Sequence, residues 1–332
     1  MSLDTLINNK TVLITGGTGS FGKALTQHLL THFSPKKCIV FSRDELKQFE
    51  MKMAFPNHPA LRFFLGDIRD QSRLNRAFRG VDILIHAAAM KQVEASEYNP
   101  FEAVKTNIIG SENVISEAIH HKIKHVIALS TDKAVSPVNL YGATKLCSEK
   151  LFLAANNYVD EEKTTQFSVV RYGNVVGSRG SVIPFFLEKR KDGSLPITNK
   201  HMTRFWITLP QAIQFVLDSL NDMKGGEVFI PKLPTMNVLD LARAIGPDCD
   251  YPIIGIRPGE KIHECMLTQD EAKDAIEQDS RYIIQPKSNF RTFEQHKGKA
   301  VPSTFHYSSD NTENILGVDA LQKMISDFID AQ

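Results

Sequence analysis

The first half of the chain alternates between short apolar runs and amphipathic stretches. The apolar runs are rich in Val, Ile and Phe and show little polar alternation, which is typical of strands buried on both faces; they lie at 11–15, 37–41, 61–65, 81–86, 125–130 and 167–172. Asp44 is placed to cap one intervening helix, and Asn99 with Pro100 predicts the start of a long helix that ends near His121. Strands that alternate with helices predict a parallel, doubly wound α/β sheet with right-handed crossovers.

The pattern becomes less regular after Gly177. Helical patterns lie at 181–190, 210–220, 238–245 and 318–329, and short strand-like runs lie at 227–231, 252–256 and 282–286. The polar stretch from Pro286 to Asn314 predicts mostly loop. We therefore predict two domains, a nucleotide-binding domain over 1–177 and a smaller α/β cap over 178–332. Some segments of the cap are expected to return to the first domain.

Charge and cysteine usage exclude several classes of function. The 39 Lys+Arg balance 38 Asp+Glu, so the chain has no basic excess to attract nucleic acid. No apolar run approaches the roughly 18–20 residues that a membrane-spanning helix requires, and the first residues do not resemble a signal peptide. The four cysteines form no CxxC pair, and the histidines have no partners at ligand spacing. We expect a cytoplasmic protein without disulfides, bound metal, nucleic acid or membrane contacts.

A glycine-rich turn follows the first strand and opens a helix. Gly16, Gly19 and Gly22 permit a tight turn, close approach of the backbone to a pyrophosphate, and close packing of the helix on the strand. The free N–H groups and the positive end of the helix dipole then face the phosphates. This placement predicts a dinucleotide site, to which the same turn adds Thr18, Ser20 and Phe21.

The end of the second strand bears on the choice of dinucleotide. An NAD site usually carries an acid here that binds the ribose 2′-hydroxyl. This chain instead has Ser42 and Arg43, whose hydroxyl and guanidinium groups suit a 2′-phosphate. Arg43 could also be a solvated loop residue, and Asp44 could still serve NAD. We predict NADP, with Lys47 as a further contact.

Other predicted cofactor contacts come from later strands. Asp67 and Ile68 end the third strand where adenine would lie, although Asp67 could instead cap the next helix. The remaining contacts follow the fourth strand or lie on the helix after it: Ala87, Ala88, Ala89, Lys91 and Thr106.

A tyrosine–lysine pair opens the helix that follows the fifth strand. Tyr141 and Lys145 are one turn apart on the same face, and none of the other six tyrosines has a lysine four residues later. A phenol has a pKa near 10 and must become more acidic to act as a base at neutral pH. Lowering its pKa by about 3 units takes roughly 4 kcal/mol, which a neighbouring ammonium and a nicotinamide cation could supply together. The pair predicts a nucleotide-dependent oxidoreductase centre.

Several motifs together resemble the extended short-chain dehydrogenase/reductase family. They span nearly the whole chain: TGGTGSFG at 15–22, HAAA at 86–89, TNIIG at 106–110, STDK at 130–133, YGATK at 141–145 and RPGEK at 257–261. The resemblance implies a Rossmann domain that binds NAD(P). It also implies that a nucleoside-diphosphate sugar binds in the cleft beneath the second domain.

One departure narrows this resemblance. Sugar-nucleotide 4,6-dehydratases that retain the C5 configuration usually carry Thr-Asp-Glu where this chain has Thr131, Asp132 and Lys133. The lysine, together with HAAAMKQVE at 86–94, RYGNVVGSRGSVIPFF at 171–186 and MTRFWIT at 202–208, is similar to the C5-inverting UDP-N-acetylglucosamine 4,6-dehydratases. These enzymes serve pseudaminic acid biosynthesis and flagellin glycosylation. The resemblance thus implies an NADP-dependent hydro-lyase that acts on UDP-N-acetylglucosamine and forms a homo-oligomer, a dimer or higher, up to a hexamer.

The resemblance also implies a role for each catalytic residue. Tyr141, polarised by Lys145 and paired with Thr131, would take the proton of the 4-hydroxyl while the C4 hydride passes to NADP⁺. Lys133, if partly neutral, would remove the C5 proton, and a protonated Asp132 would donate to the departing C6 hydroxyl. Hydride would then return to C6, and C5 would be reprotonated on the face opposite to the original one. The alternative for Asp132 and Lys133 is a surface ion pair of little energetic value.

Substrate contacts are expected from both domains. They are Lys91, Thr131, Asn174, Arg179, Gly180, Ser181, Val182, Ile183, Thr198, Arg204, Arg257 and Glu260. Arginine suits a diphosphate and glutamate suits a ribose diol, although each of these charged residues could also be a solvated loop residue. The rival interpretations are a UDP-sugar 4-epimerase, a retaining dehydratase, and a catalytically dead NADP sensor. Lys133 argues against the first two, and the intact Thr131, Tyr141 and Lys145 argue against the third.

Overall fold

The computed structural model describes residues 2–55, 58–159, 165–178, 181–288 and 291–330. Strands are numbered here in chain order. They are β1 Thr11–Thr15, β2 Lys37–Ser42, β3 Leu61–Leu65, β4 Ile83–His86, β5 His125–Thr131, β6 Gln166–Tyr172, β7 Asn174–Val175, β8 Thr203–Ile207, β9 Val228–Pro231, β10 Thr235–Asn237, β11 Cys265–Leu267, β12 Ala275–Glu277, β13 Arg281–Ile284, β14 Lys299–Ala300, β15 Tyr307–Ser308 and β16 Ile315–Leu316.

Helices are numbered in the same way. They are α1 Leu3–Ile7, α2 Ser20–His32, α3 Glu45–Ala54, α4 Gln71–Ala77, α5 Val93–Tyr98, α6 Pro100–Val104, α7 Gly110–His120, α8 Leu140–Ala154, α9 Val182–Lys189, α10 Leu209–Asp222, α11 Val238–Ile245, α12 Gln269–Ala272 and α13 Val318–Asp330. A π-helical turn at Lys105–Ile109 joins α6 to α7. No helix within the described ranges is long and apolar enough to cross a membrane.

A ten-stranded sheet forms the frame of the molecule, in the order β14-β12-β13-β9-β6-β5-β4-β1-β2-β3. The run from β3 to β9 is parallel, and β13, β12 and β14 extend it with antiparallel pairs. The predicted doubly wound α/β sheet is therefore present. Its last four strands come from the second half of the chain, whereas the domain boundary at 177/178 stays a prediction.

Burial explains why the apolar runs became central strands. Every residue of β1 and β4 is buried, as expected for strands covered by helices on both faces. The edge strand β3 has partners on one side only, and its last residue, Leu65, is exposed. A second apolar core lies in the cap, where Trp206, Leu241 and Leu321 are almost fully buried.

The change of direction in strand order places a crevice at the carboxyl end of β1. This strand pairs with β2 on one side and with β4 on the other. The strands that follow β1 in the chain therefore extend the sheet in opposite directions from this point. Gly16 has φ +65°, and a Cβ at this position would lie 2.9 Å from the Cα of Ala88. A Cβ on Gly22 would lie 2.5 Å from the Cα of Gly17. The turn therefore requires glycine for both conformation and close approach.

The structure confirms the predicted helix cap at Asp44, whereas the caps considered at Asn99 and Asp67 are wrong. Asp44 does cap α3, because its Oδ1 accepts from the backbone N of Lys47 at 3.0 Å. Asn99 makes no capping hydrogen bond and instead donates to the carbonyl of Ala95. The alternative that Asp67 caps the next helix is wrong as well. Asp70 lies closer to the start of α4 and accepts from the backbone of the first turn.

The cap is built on the four-stranded sheet β16-β10-β8-β7, with α9, α11 and α13 around the second core. The predicted strand at 252–256 is wrong. Within it, Ile253 forms a single bridge to Ile197, and the side chains of Ile253 and Ile254 are exposed. An apolar run can thus lie at the surface when no neighbouring strand extends the pairing.

Candidate active site

A cavity of about 1380 Å³ lies at the carboxyl ends of the central strands, between the large sheet and the cap. Sites for a single small ligand usually measure about 300–1,000 Å³, so this cavity has room for more than one such ligand. Every residue predicted to contact the cofactor lines it. The cavity therefore brings the glycine-rich turn, the end of β2 and the start of α8 into one site.

The glycine-rich turn leaves an open helix terminus at one end of the cavity. Helix α2 begins at Ser20, and its N-cap residue, Gly19, has no side chain to occupy the N–H groups of the first turn. Thr18, Ser20 and Phe21 line the cavity beside it. This arrangement suits an anionic group such as a pyrophosphate.

The charged residues near the end of β2 differ in how many of their polar atoms are bound by neighbouring residues. Asp44 caps α3 and pairs with Lys47 Nζ at 2.5 Å, so its carboxylate is engaged locally. Asp67 is held by Arg69 at 2.7 Å; burial raises the pKa of Asp67, but the hydrogen bonds and charge of Arg69 outweigh this and lower it. Arg43 is 60% exposed and lies 3.7 Å from Asp67. Of these groups, Arg43 has the geometry best suited to meet a phosphate from solvent.

Tyr141 is nearly buried where α8 begins. Burial raises the pKa of Tyr141 to about 12, against the opposing charge of Lys133 and a hydrogen bond with Thr131. The predicted lowering of this pKa by an ammonium together with a nicotinamide cation stays a prediction; within the chain, the charge of Lys133 lowers the pKa but does not outweigh burial. Lys145 does not supply the opposing charge: its Nζ donates to the carbonyl of Leu129 at 2.8 Å. Burial lowers the pKa of Lys145 to about 8.

A second charged cluster lies next to this pair. Lys133 Nζ is 3.0 Å from Asp132 Oδ1, 3.4 Å from Asn174 Oδ1 and 3.5 Å from Glu264 Oε1. Asp132 Oδ1 also accepts from the hydroxyl of Thr131 at 3.0 Å. Asp132 Oδ2 is buried and has no hydrogen-bond partner among the described residues.

The burial of this cluster corrects two expectations. Asp132 is completely buried, so the alternative of a surface ion pair is wrong. Asp132 also does not line the cavity, which it meets only through its contacts with Thr131 and Lys133. Burial lowers the pKa of Lys133, but the carboxylates of Asp132 and Glu264 outweigh burial, and the pKa is raised. The condition that Lys133 be partly neutral is therefore not met by the chain alone.

Most residues predicted to bind the substrate line the cavity. They are Lys91, Thr131, Asn174, Ser181, Val182, Thr198, Arg204, Arg257 and Glu260. The prediction that Ile183 contacts the substrate is wrong. Its side chain is fully buried in the core of the cap, because it lies on the inner face of α9. Arg179 and Gly180 lie outside the described residues. Burial lowers the pKa of Lys91, in keeping with its place on the cavity wall.

The three charged substrate candidates differ in how their groups are used. Arg204 donates to the carbonyls of Ile262 and Lys261 at 3.1 and 3.0 Å, so its guanidinium holds the backbone of this segment. Arg257 is half-exposed and lies 3.9 Å from Glu260. Glu260 Oε2 is buried and accepts no hydrogen bond from the part of the chain that the structure describes. Glu260 thus offers an unused acceptor for a hydroxyl group.

Two residues of the site were not foreseen. Glu264 lines the cavity, but the sequence predicted no role for it. Asn139 caps α8 through Gly142 N and donates to the carbonyl of Gly259 at 2.7 Å, which ties the RPGEK segment to the catalytic helix. The sequence carried no signal for Glu264, because the segment from Glu260 to Glu264 is not helical and their spacing of four does not place them on one face.

Comparison with known sequences identifies relatives along nearly the whole chain. Residues 12–286 match the family described as "Polysaccharide biosynthesis protein". The chain is 53% identical over 316 residues to the UDP-N-acetylglucosamine 4,6-dehydratase (inverting) of Campylobacter jejuni, covering 92% of this chain and 94% of that protein. It is 39% identical to the UDP-glucose 4-epimerase of Rickettsia akari, covering 96% and 95%.

Solved structures show the same architecture. Pen from Bacillus thuringiensis superposes with a TM-score of 0.88 at 39% identity, covering 97% of this chain and 98% of that one. DesIV, a dTDP-glucose 4,6-dehydratase from Streptomyces venezuelae with NAD and TYD bound, superposes with a TM-score of 0.68 at 22% identity, covering 76% and 86%, and supports the fold alone. The resemblance to extended short-chain dehydrogenases/reductases is confirmed, and the chain belongs to the polysaccharide biosynthesis protein family.

Proposed function

We propose that this protein is a C5-inverting UDP-N-acetylglucosamine 4,6-dehydratase, a hydro-lyase that uses bound NADP. The observation that carries the proposal is the presence of Lys133 and Tyr141 at one cavity, with Asp132 buried behind Lys133 and in contact with it. The 53% identity to the Campylobacter jejuni enzyme supports the same reaction and substrate. The product, a UDP-4-keto-6-deoxy-L-hexosamine, would then serve pseudaminic acid biosynthesis and flagellin glycosylation in the cytoplasm.

The residues at the nucleotide end fit a nicotinamide dinucleotide. The first turn of α2 has no side-chain cap and is open to a pyrophosphate, and the close approach of Gly16 to Ala88 requires glycine in this turn. Thr106 Oγ1 is buried and has no partner among the residues described, so it can bind a cofactor hydroxyl. Arg43 and Ser42 would hold the 2′-phosphate of NADP. When bound, the cofactor would accept a hydride from C4 and return it to C6.

Tyr141 is the proposed base for the C4 hydroxyl. Its pKa of about 12 in the chain alone is too high for this role at neutral pH, so a positive charge at the adjacent nicotinamide position would have to lower it. Lys145 is fixed by the carbonyl of Leu129 and would contact the cofactor ribose. Oxidation at C4 would make the C5 hydrogen acidic.

The cluster around Lys133 is the proposed elimination centre. Lys133 would take the C5 proton, and a proton from Asp132 would leave with the C6 hydroxyl as water. After hydride has returned to C6, C5 would take up a proton on the face opposite to the original one. An unpartnered, buried carboxylate oxygen is costly as an anion, so Asp132 Oδ2 is a suitable place to hold that proton. Asp132 does not line the cavity, and Thr131 contacts its Oδ1, so the carboxyl group would have to turn before its proton could reach the substrate by way of the Thr131 hydroxyl.

A 4-epimerase is the second candidate, favoured by the 39% identity to the Rickettsia akari protein. The test is to incubate the protein with UDP-N-acetylglucosamine in heavy water and follow the product by proton NMR. A dehydratase gives a C6 methyl group and deuterium at C5 without added reductant. An epimerase gives an inverted C4 with an intact C6 hydroxymethyl group and no deuterium at C5. A stoichiometric requirement for NADPH would contradict the proposal.

We also expect a homo-oligomer. Large apolar side chains are exposed along α5 to α7 and after α8, including Tyr98, Phe101 and Tyr158. Their burial against a second copy would remove this apolar surface from water. Light scattering of the purified protein would measure the number of subunits, and a monomer at micromolar concentration would contradict the expectation.

A further inference from the structure

Glu264 is the second carboxylate that contacts Lys133. It is 2% exposed, and its Oε1 lies 3.5 Å from Lys133 Nζ. Its Oε2 lies 3.5 Å from Lys261 Nζ but accepts no hydrogen bond within the described ranges. The carboxylate therefore lies between two ammonium groups and is balanced mainly by their charges.

The backbone around Glu264 is held independently of Lys133. The N–H of Glu264 donates to Ser309 Oγ at 2.9 Å, and the N–H of Ser309 donates to the Glu264 carbonyl at 2.7 Å. Thr203 Oγ1 bonds both Ser309 Oγ at 2.7 Å and His263 Nδ1 at 2.8 Å. The pairing of β11 with β15 extends this support. The cap thus fixes the position of the carboxylate, and Lys133 meets it there.

The charges that face Lys133 come from several elements. Asp132 precedes it in the chain, Glu264 comes from the segment before β11, and Arg204 on β8 opposes the two carboxylates. Tyr141 on α8 is also within its electrostatic reach. When Asp132 carries a proton, as the proposed reaction requires, Glu264 is the carboxylate that remains to balance Lys133.

We propose that Glu264 is a positioning residue for elimination: it places Lys133 and sets its protonation state. This inference rests on the proposed function. Removal of the C5 proton converts neutral Lys133 to an ammonium, which Glu264 stabilises as it forms. The same carboxylate makes neutral Lys133 scarce at neutral pH, so the rate of C5 deprotonation increases with pH. Glu264 thereby links the cap to the chemistry on the sheet.

The test is the pH dependence of deuterium incorporation at C5, measured by NMR with UDP-N-acetylglucosamine. In the wild type, the rate should increase about tenfold per pH unit below the pKa of the base. Glu264→Gln removes an opposite charge close to Lys133, so the rising limb should move to lower pH by about 1–3 units and reach its plateau earlier. Lys261→Met removes the cation that offsets Glu264, so its limb should move to higher pH.

Glu227→Gln is the matched control. Glu227 is fully buried in the large sheet and accepts from Ser168 and His296, but it does not line the cavity. Its loss removes a buried carboxylate and perturbs stability without changing the charges around Lys133. The pH at which its C5 exchange levels off should equal that of the wild type.

The outcomes separate this inference from the proposed function. If Glu264→Gln folds and its rate of C5 exchange rises over the same pH range as in the wild type, the inference is overturned. C5 exchange by the wild type would still support the proposed function in that case. If Glu264→Gln does not fold, the test rests on Lys261→Met. A shift of its rise in C5 exchange to higher pH supports the inference, and no shift or a shift to lower pH overturns it. A wild-type protein that exchanges no C5 hydrogen refutes the proposed function and this inference with it.

Discussion

Two lysines, the buried Lys145 and the partly exposed Lys133, contact the same cavity but have different electrostatic partners. Lys145 donates to a neutral carbonyl, that of Leu129, at 2.8 Å. Lys133 lies 3.0 Å from the carboxylate of Asp132 and 3.5 Å from that of Glu264. Burial lowers the pKa of both lysines. For Lys145 burial dominates and the pKa is about 8, whereas for Lys133 the carboxylates dominate and the pKa is raised.

The difference teaches that carboxylate partners can outweigh burial in setting the charge of a lysine, whereas burial prevails where the partner is a neutral carbonyl. Lys145 can lose its proton near physiological pH, so its charge there depends on the pH. Lys133 stays an ammonium until its carboxylate neighbours are neutralised or the pH is high. The oxidation centre and the elimination centre should therefore respond differently to mutation and to pH.

The largest expected effect is that of Tyr141→Phe. This change removes the acceptor of the C4 hydroxyl proton, so turnover should fall by about 10²–10⁴-fold or more. No substrate-dependent NADPH absorbance should appear in rapid-mixing experiments. Tyr158→Phe, at an exposed tyrosine after the same helix, is the control and should behave as the wild type. Normal NADPH formation in Tyr141→Phe would contradict the assignment of Tyr141 as the base for C4 oxidation.

Lys145→Met should change how stability depends on pH. Lys145 carries its charge in both the folded and the unfolded state below pH 8, so its burial destabilises the fold fully there. Between pH 8 and its ordinary pKa of 10.5 the folded state binds fewer protons, and the penalty is relieved. At 1.36 kcal/mol per unit, this relief is about 3 kcal/mol.

The measurement is the free energy of unfolding in urea near pH 7 and near pH 10.5. The stability of Lys145→Met relative to wild type should decrease by about 3 kcal/mol between these two pH values. Lys150→Met, on the exposed face of the same helix, is the control and should show no such change. A constant difference between Lys145→Met and wild type would mean that Lys145 has an ordinary pKa.

A smaller effect is expected at the outer end of the cavity, away from both lysines. Arg43→Ala should weaken the binding of NADP by about 1.5–3 kcal/mol, because one charge-assisted contact to the 2′-phosphate is lost, and should leave NAD binding nearly unchanged. Calorimetry with both dinucleotides measures the difference. Arg79→Ala, at an exposed arginine that does not line the cavity, is the control. Equal weakening of both cofactors would identify Arg43 as a loop residue without a role in specificity.

The parts of the fold that follow from local pattern were predictable. Strands such as Thr11–Thr15 are continuous apolar runs, and Gly16 needs its residue type for reasons that a single turn explains. The short strands of the cap were harder to predict, because pairing with distant segments defines them; Thr203–Ile207 is one example. The run at 252–256 is the opposite case: it is apolar, but no neighbouring strand among the described residues pairs along it, and it is exposed.

The electrostatics of the site could not be predicted from spacing. Tyr141 and Lys145 were found by their separation of one turn, but the fold makes Lys133 the cation that opposes the raised pKa of Tyr141. Glu264 contacts Lys133 only because the cap folds over the sheet. Ile183 faces the core because of the rotation of α9, which a sequence motif does not specify.

The central claim is that the two lysines serve two separable steps, and Lys133→Ala tests it most directly. Rapid mixing of this variant with UDP-N-acetylglucosamine should give a slow, substrate-dependent NADPH signal, because Tyr141 and Lys145 are intact. NMR of the same mixture in heavy water should show no C6 methyl product and no deuterium at C5. Near-normal turnover with C5 exchange in Lys133→Ala would contradict the claim and remove the basis for an elimination centre at Lys133.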